Sequence, residues 1–260
     1  MKVFIFTDLE GASGVCRFFQ TRETGPRYDE ACRLLMGDIN ACIDGLLEAG
    51  AEDIVVCDGH GKPYNFVPEM MHPRARHVVG GWGDRPLGGL GPGYDAVILL
   101  AHHAMAGTPD GVLCHTQSSK RGNRYWYNGR ESGEIAQEAL IAGHFDIPLV
   151  MVTGDDAVCR EAREFFGDDI VTVSVKQGLG REAAVLLAPS LARERIREGA
   201  VRALAAIPRC KPYKIDLPIT GRLAFPDKET ADAFKPGRAK RVDDLTFEAT
   251  FDSALDVVKF

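Results

Sequence analysis

Continuous apolar runs recur along this chain, separated by stretches with helical spacing. VFIFT, IVVC, AVILLA and PLVMVT carry apolar residues at successive positions, as parallel strands buried on both faces do. Between the first two, residues 28–49 set Leu34, Leu35, Ile39, Cys42, Leu46 and Leu47 at helical spacing, and Gly50 ends the helix. Residues 2–57 therefore read as a βαβ unit, whose crossover is right-handed in nearly all proteins. Beyond it the pattern predicts strands over 77–79, 96–101, 148–153 and 170–175, and helices over 133–142, 155–165 and 190–206. Tyr125-Trp126-Tyr127 leading into Asn128-Gly129 predicts a small hairpin, because Asn-Gly favours a tight turn with positive φ. From Arg209 the texture changes. Pro208, Pro212 and Pro218 punctuate the chain, followed by KIDLPI, a short helix near 228–234, the strand LTFEATF and a final helical turn. The expected fold is α/β: a doubly wound, mostly parallel sheet over residues 1–208 with a smaller C-terminal α+β annex over 209–260, serving a substrate pocket or oligomerisation.

Composition narrows the class. With 260 residues and 45% apolar content, the chain suits one large domain or a main domain with an annex. A net charge of −6, with no basic cluster longer than the scattered RAKR of 238–241, argues against nucleic acid as a partner. Seven cysteines stand singly with no CxxC pair, the usage of a reduced, cytoplasmic protein. The apolar stretch over 3–6 is too short for a signal-peptide core, and no run approaches about 18 apolar residues, so no membrane span is expected.

Three strand ends carry possible metal ligands, and open α/β sheets bind ligands beyond the carboxyl ends of their strands. Asp8-Leu9-Glu10 projects two carboxylates to one side of an extended backbone, where they repel unless a cation lies between them. His60 sits in Asp58-Gly59-His60-Gly61-Lys62, whose glycines free the backbone to carry the side chain inward. His102 and His103 close AVILLA, and neutral imidazole is a common metal ligand. His115 follows Cys114, which faces the opposite way in an extended segment, so the two do not form a Cys/His dyad. Glu134 falls in the first turn of a helix, Asp155-Asp156 fits an N-cap, and QGLGR after Lys176 lacks the spacing of a phosphate loop. Taken singly, each residue has a structural explanation as a turn, cap or buried hydrogen-bonded group.

Taken together, Asp8, Glu10, His60, His103 and Glu134 make a nitrogen and oxygen ligand set suited to zinc. Five ligands exceed one tetrahedral zinc but suit two ions about 3.5–4 Å apart sharing a carboxylate, an arrangement whose natural chemistry is hydrolysis. Two other readings compete. A two-metal phosphoesterase needs phosphate-binding cations, for which Lys62 and Lys176 are the candidates, but the G-N-H-[DE] pattern is absent. A non-enzymatic α/β binding module would use the histidines structurally.

The motifs DLEGASG (8–14), DGHG (58–61), HHAMAGTPDGVLCHT (102–116), YNGRESGE (127–134), VTGDD (152–156) and VKQ (175–177), in that order, resemble the D-aminopeptidase family of binuclear zinc peptidases, the type encoded in bacterial dipeptide-transport operons. The resemblance implies two zinc ions per chain, one held by Asp8, Glu10 and His60, the other by His103, Glu134 and the bridging Asp8. His103 rather than His102 matches the metal histidine, since the family places it directly before alanine, and His115 matches the proposed catalytic residue. The implied activity is aminopeptidase hydrolysis of short peptides, D-amino-acid-containing di- and tripeptides, by zinc-activated water with His115 assisting. The implied assembly is a ring-like homo-oligomer of decamer type with an internal channel.

Overall fold

The computed structural model describes residues 1–61 and 64–260. Its first apolar run forms β1 (Lys2–Thr7), followed by α1 (Tyr28–Glu48), β2 (Asp53–Asp58), β3 (Arg76–Val78) and β4 (Ala96–His102). The middle of the chain supplies β5 (Arg124–Tyr127), β6 (Arg130–Glu131), α2 (Glu134–His144), β7 (Leu149–Asp155) and α3 (Asp156–Phe166). Then come β8 (Val171–Gly180), β9 (Ala183–Leu186), α4 (Pro189–Ala206), β10 (Ile219–Ala224), α5 (Lys228–Ala233), β11 (Lys240–Arg241) and β12 (Thr246–Phe251). Each continuous apolar run is a strand of one sheet, ordered β3-β2-β1-β4-β7-β8-β9, parallel throughout except for β9. The α/β expectation holds, and the strand order reverses between β1 and β4, where such sheets form a crevice.

Burial on both faces explains the continuous runs. Val3, Ile5, Ile54, Val56, Ile98 and Leu100 face α1 and α4, while their neighbours Phe4, Phe6, Val55, Cys57, Val97 and Leu99 face α2 and α3. A second, antiparallel sheet runs β11-β12-β10-β5-β6. It joins the 124–131 hairpin to three strands from beyond residue 209, and KIDLPI contributes only its final Ile219 to a strand. Helix α2 lies between the two sheets. Ile135, Ala139 and Ala142 pack on the main sheet and Leu140 and Ile141 on the smaller one, so the helix is buried around most of its circumference. The extension of β8 through Gly180 into a hairpin with β9 lies beyond the strand predicted over 170–175. Among the described residues, no helix is long and apolar enough to cross a membrane.

Candidate metal centre

The ends of β1, β2 and β4 meet at the point where strand order reverses. Past β1, the Asp8 amide donates to the Leu100 carbonyl at 2.9 Å and the Gly11 amide to the Ala101 carbonyl at 2.7 Å, so the DLEG segment stays bound to β4. Ala101 has φ of 63°, and the pairing of β4 with β7 shifts register between Leu99 and His102. This local irregularity re-aims the two histidines that follow. It also packs the His102 carbonyl closely between two glycines: a Cβ on either Gly11 or Gly154 would lie 2.1 Å from that oxygen. The glycines of DLEG and VTGDD thus permit the close approach of backbone on which the site is built.

Asp8 joins the strand ends. One of its carboxylate oxygens lies 2.8 Å from His60 Nδ1 and the other 3.2 Å from His103 Nε2. Glu10 Oε2 is 2.9 Å from the same His60 nitrogen, and Glu134 Oε1 is 3.6 Å from His103 Nε2 and 3.8 Å from His115 Nε2. The His103 and His115 rings stack with centroids 4.0 Å apart. All five ligands expected from the sequence therefore share one cluster with His115. His102 turns away and meets Glu138, with Nε2 2.8 Å from Oε2.

Backbone carbonyls fix how the imidazoles point. His60 Nε2 lies 2.8 Å from Thr21 O, and His103 Nδ1 lies 3.0 Å from Ala104 O. A carbonyl only accepts, so those nitrogens carry hydrogen and the opposite nitrogens face the carboxylates. Unprotonated nitrogen facing carboxylate oxygen is repulsive without positive charge between them. Burial pushes both imidazoles down, but Glu10 and Asp8 around His60, and Glu134 and Asp8 around His103, hold them well above their ordinary pKa. Burial likewise pushes Asp8 up, yet hydrogen bonds and charge from His103 and His60 hold it well below the usual carboxylate range. Glu10 Oε2 and His103 Nε2 are buried with no hydrogen-bond partner among the described residues. Divalent cations would meet this demand for charge, and the donor set fits zinc. Two overlapping groups have ligand atoms mutually within 4.8 Å: Asp8, Glu10 and His103, and His103, His115 and Glu134.

His115 is held differently. Its Nδ1 lies 2.8 Å from Leu113 O, so Nε2 is left facing Glu134. Leu113 and Gln117, on either side, have φ of 55° and 63°, conformations that non-glycine residues adopt at a cost and that here turn the ring inward. The Gln117 amide also donates to Glu134 Oε1 at 2.7 Å, tying this loop to α2.

Asp155 is the N-cap anticipated for the next helix, accepting from Val158 N at 2.8 Å and also from Val112 N at 2.6 Å. Lys176 is not a phosphate-binding cation. Its ammonium is buried and donates to the carbonyls of Glu10, Ala12 and Val15 at 2.6, 2.9 and 2.5 Å, and burial lowers its pKa to about 8. Lys62, the other cation considered for that role, lies outside the described residues. Two contributions to the site go beyond the expectations from sequence: Lys176 as the anchor of the DLEG loop, and Glu138. The pattern does hold a signal for Glu138, a second glutamate four positions after Glu134 on the same helix face.

The cluster opens into a cavity of about 810 Å³. Its floor includes Asp8, Glu10, His60, His115, Glu134 and Glu138, while Arg22, Arg85, Lys120 and Lys259 are among its other lining residues. Leu255 and Val258 bring the C-terminal region to the same wall.

Residues 1–260 match the D-aminopeptidase family, peptidase family M55. The chain is 34% identical over 217 residues to a D-aminopeptidase of Bacillus subtilis (strain 168), covering 82% of this chain and 77% of that relative. Its fold superposes with a TM-score of 0.92 on the solved structure of the Zn-dependent D-aminopeptidase DppA from Bacillus subtilis, described as a self-compartmentalizing protease. That pair shares 26% identity and covers 99% of this chain and 94% of the other.

Proposed function

This chain belongs to the D-aminopeptidase family, and on that premise we propose that it is a zinc-dependent aminopeptidase that removes N-terminal residues from short, D-amino-acid-containing peptides. Two zinc ions per chain are proposed, with Asp8, Glu10 and His60 holding one, and His103, Glu134 and the shared Asp8 the other. The observation that carries this reading is Asp8, whose two oxygens lie 2.8 and 3.2 Å from imidazole nitrogens of different strands. Zinc bound there supplies Lewis-acid chemistry, acidifying water and polarising the scissile carbonyl.

The protein's own side chains supply the rest. Leu113 O holds the Nδ1 hydrogen of His115, so proton transfer takes place at Nε2, on the side of Glu134. An imidazole there is placed to protonate the departing amine. The His103 ring stacked against it limits its rotation and keeps Nε2 over the cavity. A cavity of about 810 Å³ accommodates small peptides and supports a short substrate. The C-terminal region, placed as an annex over residues 209–260, is assigned a part in the substrate wall through Leu255 and Val258. A ring-like homo-oligomer of decamer type and a cytoplasmic location, consistent with seven unpaired cysteines, complete the proposal.

Elemental analysis of the purified protein, paired with turnover of matched D- and L-alanyl dipeptides, tests it. About two zinc ions per chain and release of the N-terminal residue, faster from the D-peptide, are expected. Full activity in metal-free protein overturns the reading.

A further inference from the structure

We infer that Glu138, held in place by His102, is the specificity-determining residue that receives the free α-ammonium of the peptide substrate. The inference rests on the aminopeptidase reading and extends it to how an N-terminus is distinguished from an internal or blocked residue. Glu138 is only 8% exposed, yet it lines the cavity. Its Oε2 is fully enclosed and lies 2.8 Å from His102 Nε2, close enough for an ion pair but outside hydrogen-bond alignment. No hydrogen bond joins its Oε1 to another described residue, and the side chain lines the cavity. A carboxylate buried to this degree, with one oxygen unpartnered, needs a cationic donor. His102 meets half of that need and fixes the direction of the other half.

Spacing supports the assignment. Glu134 and Glu138 stand one helical turn apart on the same face of α2, about 6 Å along its axis. A substrate amine lies about 2.5 Å from its own scissile carbonyl carbon, two covalent bonds away. With a hydrogen bond of about 2.8 Å added, a carbonyl placed beside Glu134 brings the amine to Glu138. A single residue fits between the two, which is the requirement for an aminopeptidase. The cationic residues on the cavity wall, Arg22, Arg85, Lys120 and Lys259, do not compete for this role because they would repel an ammonium.

The test uses zinc-loaded protein and two unhydrolysable probes that differ only in the amine, 1-aminoethylphosphonate and ethylphosphonate, with binding measured by calorimetry. The wild-type protein is expected to prefer the amine-bearing probe, and Glu138→Gln to reduce that preference roughly 10- to 100-fold, as loss of a charged hydrogen bond does. KM for an alanyl p-nitroanilide should rise by a similar factor with kcat changing less, and zinc content should be unchanged. Glu138→Asp, which keeps the charge but draws it back, should retain part of the preference. Equal preference in wild type and Glu138→Gln overturns the inference, as does loss of zinc in Glu138→Gln, which would make Glu138 part of the metal support. If the wild-type protein leaves every peptide intact, the aminopeptidase reading fails, while the ratio of the two probe affinities still decides the role of Glu138.

Discussion

His115 and Glu134 are 3.8 Å apart, yet their positions imply different consequences on substitution. His115 faces the cavity through a nitrogen that no backbone group engages, and His115→Ala removes a proton carrier without removing any proposed ligand. Turnover should fall by at least about 100-fold while zinc content stays near the wild-type level. Glu134 touches both His103 and the Gln117 amide, and Glu134→Ala should lose zinc as well as turnover. Measuring both quantities on both variants separates the roles, and retained activity in both would show that the centre lies elsewhere. Gly154 gives a steric prediction. A methyl group there would sit 2.1 Å from the His102 carbonyl and 2.6 Å from Val158 Cγ1, so Gly154→Ala should destabilise the protein by about 1–3 kcal/mol. Thermal unfolding reads the loss, and an unchanged melting temperature would mean that the strand ends can part without cost.

Between elements, the connection most exposed to test is that of β8 to the loop after β1. Lys176 leaves β8 and ends on three carbonyls of residues 10, 12 and 15, more than 160 positions away in sequence. Those carbonyls belong to the loop that follows Asp8 and contains Glu10, so the ammonium serves as its internal anchor. Lys176→Met keeps the length and apolar stem but leaves the carbonyls buried without a donor. The expected loss is on the order of 3 kcal/mol, with weaker zinc retention on dialysis, because the loop carries a proposed ligand. Stability and zinc retention equal to wild type would show that water replaces the ammonium. Helix α2 has a comparable role on the other side, since it packs against both sheets and carries Glu134 and Glu138 to the cavity.

Across the whole molecule, the exposed apolar side chains gather partly at one edge. The β8–β9 hairpin ends the main sheet, and Leu179, Val185 and Leu186 are 65%, 53% and 41% exposed there. A strand edge with exposed Leu and Val is a natural self-association surface unless it is covered. If the proposed homo-oligomer uses this edge, Val185→Lys should shift the protein toward smaller species in light scattering without changing its circular dichroism. An unchanged mass would place the interface on another face.

Much of this molecule is legible in the order of its residues. The continuous apolar runs mark buried parallel strands because burial on both faces leaves no place for polar residues, and helical spacing marks α1 through a single apolar stripe. The proposed ligand types are legible too, since Asp8, His60 and His103 each stand where an apolar run stops. Other features depend on contacts that local sequence does not encode. The pairing of β5 with β10 joins residues nearly a hundred positions apart, so neither segment alone reports it. The positive φ of Ala101 sends His103 to Asp8 and His102 to Glu138, a division that strand periodicity does not express. Lys176 reads as a strand-end cation until the loop closes over it. Which segments are buried, and which chemical groups stand at their ends, is already written along the chain, because burial is imposed residue by residue. Which of those groups meet is settled only in the folded molecule, because that depends on strand order, on one backbone irregularity and on close approaches that glycine at 11 and 154 permits.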